Sequence, residues 1–195
     1  MMNGCARWSF LTFPLLAALG CSDPVPRPSK GNLTLSVQPP TTGTGTCSVT
    51  GKTYVVAAAN GQGPSMAGPG DRVVDGENGA TIKCSVHGSG PFTFSGTIKG
   101  LSSGSDRVTV TITDGVIDAD RKIGKATIAV NTTQIPNTLT SAASDCAVTV
   151  VQDAVKAGSL WATAACPRIT DPSSPGIACS VGPITTFVIE NCDGS

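Results

Sequence analysis

Beyond residue 32 the chain alternates apolar and polar positions with a period of two. Val108, Val110 and Ile112 interleave with Thr109, Thr111 and Thr113. Leu33, Leu35 and Val37 do the same with Thr34, Ser36 and Gln38, and Ile82, Cys84 and Val86 with Lys83, Ser85 and His87. Phe92 and Phe94, then Ala126, Ile128 and Val130, then Cys146, Val148 and Val150 repeat the rule. Such a period turns one face of an extended segment to a core and the other to water, and the β-branched residues favour the same conformation. Thr53 to Ala59 is a continuous apolar run. No segment carries an apolar stripe at helical spacing; Gln152 to Ala157 reads either as a single helical turn or as a link between strands.

Turn signals separate these runs: Gly43 to Gly45, Gly61 to Gly70, Gly88 to Pro91, Ser102 to Ser105 and Asp171 to Gly176. Eight to ten short strands broken this often predict an all-β fold, an antiparallel sandwich of immunoglobulin-like or related type, with a closed barrel as the alternative. The domain is expected to occupy residues 33–195.

The start of the chain reads differently. Arg7 is the one charged side chain before an apolar run from Phe10 to Gly20, which is about half as long as a membrane-spanning helix requires. It has the length of a signal-peptide core, and Pro14 inside it argues against a permanent span. The chain then turns polar, and three prolines between Asp23 and Asn32 predict a semi-rigid tether. The expected organisation is a signal peptide over 1–20, an N-terminus and Pro-rich tether over 21–32, and the domain after it.

Ala18-Leu19-Gly20-Cys21 resembles the lipobox of bacterial lipoproteins, with Ala18 where that family usually carries Leu. The resemblance implies cleavage before Cys21, lipid on its thiol, and a chain held on a membrane of the cell envelope. Several acyl chains on one cysteine hold a protein without a transmembrane helix, since each buried methylene contributes about 0.8 kcal/mol. Ser22, in place of an Asp, directly follows the cysteine and favours the outer membrane over the inner. The segments Gly158 to Ala162, Cys166-Pro-Arg, Asp171 to Pro175 and Glu190 to Asp193 are similar in style to small cysteine-containing lipoproteins of myxobacteria and their relatives. That likeness adds no enzymatic motif.

With Cys5 and Cys21 set aside, Cys47, Cys84, Cys146, Cys166, Cys179 and Cys192 remain, an even set that predicts disulfides in an oxidising compartment. The pairing expected is Cys47–Cys84, Cys146–Cys192, and Cys166–Cys179 around a loop whose prolines and glycine favour reversal.

Charge narrows the partners. The chain carries 13 basic and 13 acidic residues, and loss of Arg7 with the leader leaves 12 against 13. Such a balance gives no electrostatic footprint for nucleic acid. His87 is the only histidine; a single imidazole cannot supply a multi-histidine metal centre, a triad would need more than chance proximity of partners, and His87 is expected to be exposed. Ser65 falls one residue short of a nucleophile-elbow pattern and has no helix predicted after it. Asp114, Asp118 and Asp120 gather carboxylates near one turn at a spacing unlike that of a calcium loop, with Arg121 and Lys122 beside them. Neither a metal nor another cofactor is expected, and the function expected is a non-enzymatic structural or protein-interaction role. The alternative is a module binding a glycan or other small ligand, for which Trp161 and Tyr54 are the candidate contacts, because aromatic rings stack on sugars when exposed.

Overall fold

The computed structural model describes residues 26–49, 51–102 and 105–193. Cys21 and the leader lie outside them. Apart from one short 3-10 turn at Glu77–Gly79, the regular structure of the described residues is all strand: β1 (Lys30–Gln38), β2 (Lys52–Val56), β3 (Val73–Val74), β4 (Thr81–Gly88), β5 (Phe92–Leu101), β6 (Arg107–Ile117), β7 (Ile123–Thr132), β8 (Ile135–Ser141), β9 (Cys146–Lys156), β10 (Ser159–Asp171) and β11 (Ser174–Glu190). The sheet order is β2-β1-β11-β10-β8-β7-β6-β5-β4, with β3 beside β1 and β9 joining β10 to β7.

This long sheet folds over on itself into a β-sandwich-like body. β2, β1, β11 and β10 form one layer and β4 to β7 the other, with β8 and β9 making the passage between them. Phe94 of β5 and Phe187 of β11 stack across the core, their ring centroids 6.3 Å apart. Leu33, Leu35, Val86, Phe92, Ile128 and Leu160 are fully buried around them. Each such side chain contributes about 1.5–3 kcal/mol when removed from water.

β1 begins at Lys30, so residues 30–32 belong to the sheet and not to the tether. Their membership has a cause: Asn32 is completely buried and its Nδ2 donates to the carbonyls of Gln62 and Asp71. Gln152 to Ala157 belongs mostly to β9 and not to a helical turn. Gln152 and Asp153 both take positive φ there, at 51° and 55°, and the register against β10 slips beside them. A second bulge lies in β6 at Asp114, φ 52°. Gly115 follows it because a Cβ would stand 2.6 Å from the Phe94 ring.

Both open ends of the sheet are met by other parts of the chain. Past β11, Asp193 runs parallel to β4, its N–H donating to the Cys84 carbonyl and its carbonyl accepting from Val86. At the other end, Val56 bridges Ser102, and Lys52 of β2 donates to Gln134. Gln134 and Thr133 in turn donate to Asp106, at 2.7 and 2.9 Å. Unpaired strand edges invite association with other chains; here the chain itself occupies the β4 edge and meets the β2 edge at Val56.

The six body cysteines form three disulfides, but none of the expected pairs. The bonds are Cys47–Cys179, Cys84–Cys192 and Cys146–Cys166. Cys166 and Cys179 do lie on neighbouring strands of the β10–β11 hairpin. Its register sets Cys166 opposite Val181 and Ile169 opposite Cys179, so the two sulfurs are offset and cannot meet. On the other side of β10, Ala165 opposes Ala147, which brings Cys146 directly across from Cys166 with Cα atoms 4.2 Å apart. Cys47 meets Cys179 because Thr46 bridges Ile177 in parallel, and Cys192 meets Cys84 through the C-terminal segment along β4.

Candidate functional site

The two layers present different outer faces. On the β1–β11–β10 layer, residues 57–72 lie back across the strands. Asn32 holds that segment as described, and Thr34 donates to the Pro64 carbonyl at 2.9 Å. Gly63 and Gly70 permit the close approach: a Cβ at Gly63 would fall 2.1 Å from Thr34 Oγ1, and one at Gly70 would fall 2.7 Å from the Gly63 carbonyl carbon. Ser65 is part of this cover, where its N–H donates to Gly68 and its hydroxyl accepts from Ala67. No hydrogen bond joins Ser65 to His87, which lies exposed at the end of β4 in the other layer.

Trp161 also belongs to the covered layer. It stands opposite Val188 across β10 and β11, and these two with Val151 form a small apolar cluster separate from the main core. Only 9% of Trp161 is exposed, and its indole Nε1 is buried without a hydrogen-bond partner. Tyr54 is deeper, at 2%. Burial pushes its hydroxyl above its ordinary pKa; the Thr132 side chain opposes that shift, and the Asp106 carboxylate adds to it. Neither ring offers a face on which a sugar could stack, so the two residues predicted as ligand contacts are packing residues in this structure.

Asp114 sits on the β6 bulge, while Asp118 and Asp120 belong to the β6–β7 turn. Asp120 accepts from the Lys122 N–H at 3.1 Å, and the Asp118 carbonyl accepts from Arg121. Arg121 itself lies 5.3 Å over the Phe92 ring and donates to the Ser89 carbonyl, tying two turns together. Among the described residues, no group of three His, Cys, Asp or Glu side chains is placed to hold a metal ion.

The outer face of β4, β5 and β6 has no cover of the kind that residues 57–72 give the other layer. Its outward positions are Thr81, Lys83, Ser85 and His87, then Thr93, Ser95, Thr97, Lys99 and Leu101, then Arg107, Thr109, Thr111, Thr113 and, past the bulge, Val116. The register pairs Ser85 with Ser95 and Thr97 with Thr111, and their hydroxyls lie 3.1 and 3.5 Å apart. Three shallow grooves cross this face, and the one of about 510 Å³ lined by Ser85, Thr93, Ser95 and Asp114 holds none of the face's cations. One, of about 290 Å³, includes Lys83, Ser95, Thr97, Thr113 and Asp193 in its lining. Another, of about 210 Å³, includes Asn78, Thr81, Lys99 and Arg107. The alternation of β6 announced this hydroxyl face; the cations on it were not singled out by sequence, because their alignment depends on strand register.

Comparison of the chain with protein-family models, with curated proteins and with solved structures gave no significant match. The class is therefore set by the fold alone: a disulfide-stapled, β-sandwich-like all-β domain.

Proposed function

We propose that this chain is an exported lipoprotein of the bacterial cell envelope, anchored by lipid on Cys21, whose β domain acts as a structural or interaction module and not as an enzyme. The observation that carries the reading is the junction Ala18-Leu19-Gly20-Cys21 at the end of an apolar run too short to span a membrane. Three disulfides support export, because bonds of this kind persist in oxidising compartments. The cysteine arithmetic supports it too: the six body cysteines pair among themselves, which leaves Cys21 as the cysteine beside the expected cleavage point.

Replacing Cys21 by alanine and fractionating the producing cells tests the anchor. The unaltered chain should partition with membranes and incorporate radiolabelled palmitate; Cys21→Ala should do neither. Equal membrane association of both forms would overturn the proposal.

A further inference from the structure

We infer that the outer face of β4, β5 and β6 is a binding surface for an acidic polysaccharide, one bearing carboxylate or sulfate groups. Three cations carry the argument. Lys83 of β4 stands opposite Thr97 of β5, and Lys99 stands two residues further along β5. Lys99 stands opposite Thr109 of β6, and Arg107 stands two residues before Thr109. Each neighbouring pair is thus a diagonal pair, which spaces the residues about 7–8 Å apart. Lys83, Lys99 and Arg107 form one diagonal row across three strands.

The row is free to take a ligand. Among the described residues neither an ion pair nor a side-chain hydrogen bond engages any of the three. Carboxylates flank the row, Asp75 among them through its bond from the Ile82 N–H, but among the described residues none forms an ion pair with Lys83, Lys99 or Arg107. Asp193 lines the groove beside Lys83 alone, and Asp106 is held by Thr133 and Gln134. Asp114 sits at the bulge beyond Thr113. Between the cations stand Thr81, Thr97, Thr109 and Thr111, whose hydroxyls can donate to and accept from ring hydroxyls and glycosidic oxygens. Two of the grooves lie at either end of the row, one beside Lys83 and the other beside Lys99 and Arg107.

Charge complementarity and the hydroxyl lattice select the ligand class. A neutral glycan would need an aromatic platform, and Trp161 and Tyr54 are buried in other parts of the molecule. An anionic bilayer would be met by an apolar, insertable rim; the exposed apolar side chains of this face, Leu101 opposite Arg107 and Val116 opposite Thr93, stand at opposite ends of the β5–β6 pair and form no such rim. A linear polymer with repeated acidic groups fits a row of evenly spaced cations on an open surface. The contacts are exposed, so the attraction should be moderate and should weaken as salt rises.

The test uses the purified full chain with dextran sulfate, uncharged dextran, and phosphatidylglycerol vesicles as probes. Binding is expected to dextran sulfate alone, and to weaken with salt. Lys83→Gln/Lys99→Gln/Arg107→Gln should weaken that binding about tenfold. Lys30→Gln/Lys122→Gln/Lys156→Gln removes the same charge elsewhere and should change it less than about twofold. Circular dichroism and the urea midpoint of both variants establish that each is folded. Equal weakening by the two variants, equal binding of uncharged dextran, or binding to the vesicles alone would each overturn the inference. So would an unaltered chain that does not bind dextran sulfate at low salt.

Discussion

Replacing Cys84 and Cys192 together by alanine removes the disulfide that fastens the end of the chain to β4. The two residues are 108 apart in sequence, but that is not the loop the bond closes in the unfolded oxidised chain. The Cys47–Cys179 bond offers a shorter route: 37 residues from Cys47 to Cys84 and 13 from Cys179 to Cys192, a path of 50. Closing a loop of that length lowers the entropy of the unfolded chain by the equivalent of about 4 kcal/mol. The Cys146–Cys166 bond closes only 20 residues and has no such short cut, so it contributes about 3 kcal/mol by the same reasoning. Urea unfolding of the oxidised protein measures both, and each double variant should unfold at lower urea with a larger denaturant slope, since its unfolded state is less confined. The Cys84→Ala/Cys192→Ala protein should lose at least as much as Cys146→Ala/Cys166→Ala. A loss below about 1 kcal/mol for the first would refute the loop argument. A non-reduced digest that yields a Cys47–Cys84 fragment would refute the pairing itself.

Two further predictions concern buried polar groups. Trp161→Phe should cost less than about 1.5 kcal/mol, because the indole Nε1 has no partner to lose, whereas Trp161→Ala should cost about 3–5 kcal/mol in urea unfolding. In the Trp8→Phe background, acrylamide should quench Trp161 fluorescence poorly; efficient quenching would mean that the ring is open to solvent. Asp171 is held below its ordinary carboxylate pKa first by the Ser173 hydroxyl and then by the Asn137 amide, 2.7 and 2.6 Å away. A carboxylate with a lowered folded pKa stabilises the fold above its unfolded value, and that stability is lost as pH falls through the folded value. The difference in urea midpoint between the unaltered protein and Asp171→Asn should therefore be larger at pH 7 than at pH 2.5; a constant difference would count against the reasoning.

The strands that could be read from the sequence are those with one wet face. β6 shows the rule: Val108, Val110 and Ile112 are buried, while Thr109 and Thr111 are half-buried and Thr113 is exposed, as the alternation requires. β10 and β11 do not alternate in this way. Phe187, Val188 and Ile189 are all buried in succession, because one side of β11 meets the core and the other lies among Trp161 and Val151. A segment covered on both faces loses its period, so the last third of the chain gave turns and cysteines but not its two longest strands. In β9 the bulge at Gln152 and Asp153 breaks the period and made a helical turn a reasonable alternative. The disulfides failed for a related reason. Their number follows from composition, but their partners follow from register, and one offset in the β10–β11 hairpin decides whether Cys166 faces Cys179 or Cys146.

Register also governs how the proposed anchor and the proposed binding face would act together. The chain enters the domain beside its own exit: Asn191 Nδ2 donates to the Pro28 carbonyl, and the Ser29 carbonyl accepts from the Asp75 N–H. From Cys21 to Lys30 the chain can reach roughly 30 Å, so lipid on Cys21 would keep this end of the domain within that distance of the bilayer. Asp193 continues from that end along β4, and Lys83 lies on the same strand, one residue before the Cys84 to which Cys192 is bonded. The Cys84–Cys192 bond thus links the tethered end to the strand that starts the cation row. Losing it should loosen the position of Lys83 relative to the anchor while leaving Lys99 and Arg107 paired through β5 and β6. Dextran sulfate binding by Cys84→Ala/Cys192→Ala should therefore weaken less than in the triple charge variant, even though its fold is the less stable of the two.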